Sequence, residues 1–94
     1  MGKISQNTIK SVSSINIVDV IGSYIHLKKQ GGIYRACCPF HNEKTPSFIV
    51  NQNNNFYKCF GCGEGGDVIS FVMKYEALSF YDTITTLCDK YKIE

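Results

Sequence analysis

Apolar positions change their period twice along the chain. Up to Gly22 they recur at helical spacing: Ile4, Thr8, Ile9 and Val12 share one face, and Ile17, Val20 and Ile21 line another. This predicts two short helical pieces over residues 8–22, the second opened by Asn16 as N-cap and stopped by Gly22. The period then shortens. Residues 24–28 and 33–37 flank Gly31-Gly32 and read as a β-hairpin. Residues 47–50 and 56–59 form a second candidate pair around the asparagine-rich loop 51–55, where Asn tolerates the positive φ of turns. After Asp67, a candidate N-cap, helical spacing returns with Val68, Phe71, Val72 and Tyr75. Ser79 and Asp82 resemble a capping box opening a last helix to about residue 90, with Ile84, Leu87, Cys88 and Tyr91 as its stripe. Core packing is the ordinary fate of such stripes, and Phe40, Phe48 and Phe60 are expected inside for the same reason.

The chain has 94 residues, enough for one small domain whose core alone is marginal and calls for a staple. With 44% apolar and 19% charged residues it is globular in composition. No apolar run is long enough for a membrane span, and residues 1–14 lack the apolar stretch of a secretion signal. A cytoplasmic location follows as the default, where cysteines stay reduced. The five cysteines therefore point to metal before disulfides. Net charge is only +2 but unevenly spread: residues 26–62 carry Lys28, Lys29, Arg35, Lys44 and Lys58 against Glu43, whereas residues 63–94 hold six carboxylates against three lysines. A basic middle facing an anionic partner is compatible with this; a uniformly basic protein is not.

The sharpest chemical signal is Cys38-Pro39-Phe40-His41 followed, 17 residues later, by Cys59-Phe60-Gly61-Cys62. Zinc prefers four tetrahedral thiolate and imidazole ligands, and two ligands separated by two residues reach one ion from a tight turn. The turn amides can also point at the thiolates. Gly61 is expected to supply a conformation that a side chain would forbid. Candidate strands lead into both pairs, the layout of a zinc ribbon. The imidazole argues against a rubredoxin-like iron site, and four filled positions argue for a structural ion. Cys37 would point away from Cys38 on a strand end, Cys88 sits on a helical stripe, and His26 reads as an ordinary strand histidine.

The run Cys38 to Phe48, the run Phe56 to Gly63, the upstream Ile17-Val18-Asp19-Val20-Ile21-Gly22 and Leu27-Lys28-Lys29, and the downstream Gly65-Gly66-Asp67, Phe71-Val72 and Ser79-Phe80 resemble the zinc-binding (CHC-type zinc finger) N-terminal domain of bacterial DNA primase, the DnaG type. The resemblance implies an α+β fold: a zinc ribbon on a small antiparallel β-sheet, flanked by N-terminal and C-terminal helices. Residues 1–94 would be one domain, with helices in 1–23, the ribbon in 24–62 and helices in 63–94. It also implies a role in recognising single-stranded DNA template and supporting RNA primer initiation during replication. The primase catalytic domain and the replicative helicase would be partners, at the replication fork and away from membranes. Nucleotidyl transfer would belong to a separate Toprim domain, and no catalytic centre is expected in these residues. Single strands bind through phosphate charge and base stacking. Charge segregation and resemblance together nominate Lys28, Lys29, Tyr34, Arg35, Lys44 and Lys58 as DNA contacts. The alternative is a free-standing zinc ribbon that docks on a protein; an enzyme acting through a redox thiol or an open zinc is disfavoured by the filled site.

Overall fold

The computed structural model describes residues 4–41 and 45–93. Ser5, not a residue near Thr8, opens α1 (Gln6–Ser13): its Oγ accepts from the Thr8 N–H at 3.1 Å, satisfying one of the amides that every helix start leaves orphaned. α2 (Ile17–Gly22) follows at once, and Asn16 caps it as expected, accepting from Val18 N–H at 2.9 Å.

The expected strand over 24–28 is displaced. The amides of Tyr24 and Ile25 both donate back to Ile21 O, at 2.9 and 3.0 Å, so they close the end of α2 instead of joining a ladder. β1 is Lys28–Gln30, joined through Gly31-Gly32 to β2 (Ile33–Ala36). β3 (Phe48–Asn51) and β4 (Phe56–Cys59) form the second hairpin at the expected place. β5 (Gly65–Gly66) pairs with β4, an edge strand that the hydrophobic pattern does not announce because it holds no side chain. The five strands lie in chain order, each antiparallel to the next.

Register fixes what each face carries, since directly paired residues project to the same side. One face holds Ala36, Phe48 and Cys59 in one row, and Tyr34, Val50 and Tyr57 in the next. It is covered by helices, and Phe48, Val50, Tyr57 and Cys59 are all buried. α3 (Val68–Glu76) is capped by Asp67, which accepts from Ser70 N–H at 2.9 Å, and α4 (Phe80–Tyr91) by Ser79, which accepts from Asp82 N–H at 3.1 Å. Both caps match the sequence reading. Gly66 is needed where α3 leaves the sheet, because a Cβ there would stand 2.7 Å from Ser70 Cβ.

Phe71 of α3 is the hub of the core. Its ring centroid lies 5.4 Å from Phe40, 5.5 Å from Tyr57, 5.9 Å from Tyr24 and 6.1 Å from Phe48. Phe40 and Phe48 thus pack inward as expected. Phe60 does not: it is 73% exposed. Its amide donates to Ser47 O at 3.0 Å, continuing the β3–β4 register by one residue. Strand alternation then turns its ring away from the face that Cys59 occupies. Tyr75 lies at the margin of the α3 stripe, 39% exposed, and the buried Ile69 takes the inner place.

The tip of the β3–β4 hairpin is tied to the helices by Asn55. This residue adopts a left-handed φ of 55°, a conformation Asn tolerates. Its Nδ2 donates to Ser13 O and Ile15 O, both at 3.0 Å, and its Oδ1 accepts from Ile17 N–H at 2.9 Å. One side chain thus serves the end of α1 and the start of α2. Among the described residues no helix is long and apolar enough to cross a membrane.

Phe71→Ala removes the ring on which Phe48 and Tyr57 of the sheet, Phe40 and Tyr24 converge. It is expected to cost about 3–5 kcal/mol, read as a drop in the denaturant midpoint of the zinc-loaded protein. An unchanged midpoint would show that the ring cluster is not the core.

Candidate metal centre

Four metal-ligating side chains converge at one end of the sheet. The chain leaves β2 at Ala36, and alternation sends Cys37 outward and Cys38 inward: Cys37 is exposed and Cys38 buried. A tight turn follows, in which the Phe40 amide donates to Cys38 Sγ at 3.4 Å, and it brings His41 back toward the sheet. On the other hairpin Cys59 ends β4 and is fully buried. A second turn closes there, Cys59 N–H donating to Glu64 O at 2.7 Å and Gly63 N–H to Cys59 O at 2.8 Å. The glycine that this turn requires for its backbone is Gly63, at φ 84°, and not Gly61. Gly61 contributes an amide instead, donated to Cys59.

The ligand atoms of Cys38, His41, Cys59 and Cys62 all lie within 4.8 Å of one another, and the group is able to hold one zinc ion. The chemistry of the donor set fits that ion. Two thiolates at ~2.3 Å from a tetrahedral zinc stand ~3.8 Å apart; Cys38 Sγ and Cys62 Sγ are 3.9 Å apart. The protonation preferences of the sulfurs differ. Burial pushes the Cys38 thiol up to about 12. Burial also pushes Cys59 up, but the amides of Cys62 and Gly61 outweigh it and bring that thiol below its ordinary value. When bound, zinc supplies the positive charge that compensates the buried thiolates and a covalent-strength link between the two hairpins. Cys37 and Cys88 stand outside the group.

The five nominated DNA contacts among the described residues are not brought onto one surface. Lys28 pairs with Arg35, Arg35 with Ile49, and Ile49 with Lys58, so three of the cations share one row across the sheet. That row lies on the face opposite the buried one. Lys29 pairs with Tyr34, which pairs with Val50, so these two fall on the helix-covered side, Lys29 exposed at the sheet edge and Tyr34 half-buried. Lys44 lies outside the described residues. Phe56, 38% exposed, and Phe60 share the parity of Lys58 and extend the open face at either end of β4. The alternation of positions 56, 58 and 60 was the available signal for Phe60; hydrophobicity alone pointed it inward.

Several known proteins share this pattern. Residues 4–94 match the model of the CHC2 zinc finger family. The chain is 52% identical over 81 residues to the DNA primase of Chlamydia trachomatis, covering 86% of this chain and 14% of that protein. It is 52% identical over 79 residues to the DNA primase of Escherichia coli, covering 84% and 14%. Among solved structures, the Aquifex aeolicus primase, comprising zinc-binding and RNA polymerase domains, superposes with a TM-score of 0.86 at 44% identity, over 95% of this chain and 22% of that one. The chain thus spans about one seventh of the length of the primases it matches.

Elemental analysis should find one zinc and no iron per chain. Cys59→Ser and Cys62→Ser should each lose it, and Cys88→Ser should keep it. Cys38→Ser should lose zinc and Cys37→Ser retain it; the reverse result would exchange the two neighbours as ligands. Chelation of the wild-type chain should abolish cooperative unfolding, because metal binding and folding are coupled in sites of this kind.

Proposed function

The chain belongs to the CHC2 zinc finger family, and we propose that it recognises single-stranded template DNA for a DNA primase through the open face of its sheet, with Cys38, His41, Cys59 and Cys62 as the ligands of one structural zinc. The observation that carries the reading is the in-register row Lys28, Arg35 and Lys58, flanked by Phe56 and Phe60 on the same face. Three strand steps of ~4.8 Å give this row a span of ~14 Å. Cations aligned at that spacing follow a phosphate backbone, and exposed rings beside them offer stacking surfaces to bases.

The surface is also prepared for its ligand. Arg35 Nε donates to Gln30 Oε1 at 3.0 Å and one terminal nitrogen to Pro46 O at 3.3 Å, which holds the guanidinium across the sheet. A guanidinium has five N–H donors, so this anchoring leaves others for a phosphate. Gly65 lies beside Lys58 in the next strand, and any side chain there would crowd it: an added Cβ would stand 3.3 Å from Lys58 Cδ.

Binding by this unit alone should be weak, since three cations neutralise few phosphates. Primer synthesis is assigned to a primase catalytic domain, and tethering to it would raise the local concentration of a weak template binder. The replicative helicase is a further proposed partner, on family resemblance. A zinc ribbon that only docks on protein would lack the counterion release that marks phosphate contact.

Fluorescence anisotropy on an oligo(dT) strand tests this. About three phosphate contacts give a log–log salt slope of roughly −2. Lys28→Ala, Arg35→Ala and Lys58→Ala should each weaken binding and flatten the slope by about 0.7, with zinc content unchanged. Equal binding by the wild type and the triple variant would remove the open face as the template surface.

A further inference from the structure

The hairpin that carries Phe56 and Lys58 is held at its tip by a side chain on the opposite face. Asn55 spends all three of its hydrogen bonds on backbone groups of the α1–α2 junction, Ser13 O, Ile15 O and Ile17 N–H. These groups are partly buried and 38 to 42 residues away in sequence. Its left-handed φ of 55° also makes the turn that sends the chain back into β4. Phe56 is the next residue, and its pairing with Asn51 makes it the first rung of the ladder. Asn51 in turn accepts from Asn54 N–H at 3.1 Å, so the loop is braced from both sides. Alternation places Asn55 toward the helices and Phe56 on the open face. Anchoring one therefore fixes where the other points.

We propose that Asn55 is a positioning residue for base stacking: by clamping the β3–β4 tip to the α1–α2 junction it holds the Phe56 ring in place on the open sheet face. The proposal rests on the reading of that face as a single-strand surface. Phosphate contacts and stacking are separable contributions, and Asn55 acts on the second alone. Lys28, Arg35 and Lys58 lie in the row set by the body of the sheet, away from the tip.

The test compares an oligo(dT) strand with a strand of the same length built from abasic sites, using the zinc-loaded chain. Phe56→Leu should weaken oligo(dT) binding about fivefold to a hundredfold, the range expected for one stacked base. Asn55→Gly keeps the left-handed turn and deletes the clamp. It should weaken oligo(dT) about fivefold, while abasic-strand affinity, salt slope and zinc content stay at the wild-type level. In a Phe56→Leu background Asn55→Gly should add less than about twofold, because the two act as one unit. Equal weakening on both strands, independent multiplication of the two effects, or a lowered melting temperature with full oligo(dT) affinity would each reduce Asn55 to a structural staple and overturn the proposal. If Asn55→Gly does not fold, Asn55→Ser, which removes the two Nδ2 donors without adding a charge, carries the same comparison. The underlying reading fails separately, if the Lys28, Arg35 and Lys58 triple variant binds oligo(dT) as the wild type does; wild-type binding by Phe56→Leu would instead remove Phe56 as a stacking ring and overturn the positioning role alone.

Discussion

The constraint on which this fold turns is that two hairpins of a small sheet must be closed at one end. Phe71 and its ring neighbours fill the space under the middle of the sheet. The ends of β2 and β4 lead from that filling into two turns, which bring the buried Cys38 and Cys59 at the edge of the core together with His41 and Cys62. Drawing the ligand atoms of Cys38, His41, Cys59 and Cys62 within 4.8 Å is favourable only when a cation offsets their charge. With zinc in place the turn at Gly63 and the continuation of the ladder to Phe60 follow, because both depend on where Cys59 is held.

The two faces of the sheet then divide the labour. Phe48, Val50 and Tyr57 make the inner face a wall of the core, with Tyr57 buried so deeply that its hydroxyl is pushed up to about 12, by desolvation first and by the carboxylates of Glu64 and Asp67 after it. A tyrosine so placed is packing, and it is unavailable for stacking on a ligand. The outer face receives the alternate residues of the same strands, and these are the cations and the exposed rings. Metal and core set the direction in which the outer side chains project, which joins the zinc site to the proposed template surface without any zinc chemistry.

What could be read from the sequence follows from how local each cause is. The caps at Asn16, Asp67 and Ser79, the β3–β4 hairpin and the metal-ligand spacing are set by residues within a few positions of one another, and each was legible. Ser5 was passed over because its cap precedes a weak stripe. β5 has no side chain to carry a pattern. Tyr24 and Ile25 read as strand by composition, yet their amides close α2, the Tyr24 ring packing against Phe71 and Tyr75 and Ile25 against the core. Phe60 was assigned inward by hydrophobicity; alternation already set Tyr34 and Arg35 on opposite faces, and the register was needed to show that Lys28, Arg35 and Lys58 share one row. Asn55 shows the limit most plainly: in the sequence it is the last of three consecutive asparagines, and only the position of the α1–α2 junction, some 40 residues upstream, distinguishes it from the other two.

The strand order has a kinetic meaning. Because every strand pairs with its neighbour in the chain, each pairing closes only a short loop, and loop-closure entropy rises with the length that must be closed. Sheets of low contact order assemble quickly for this reason. The contacts that break this locality lie outside the ladder: the helix packing around Phe71, the Asn55 clamp and the Cys38–Cys62 approach across the two hairpins. The chain can therefore zip its hairpins early and leave to the Phe71 core, a metal ion and one amide side chain the task of making the zipped pieces a single body.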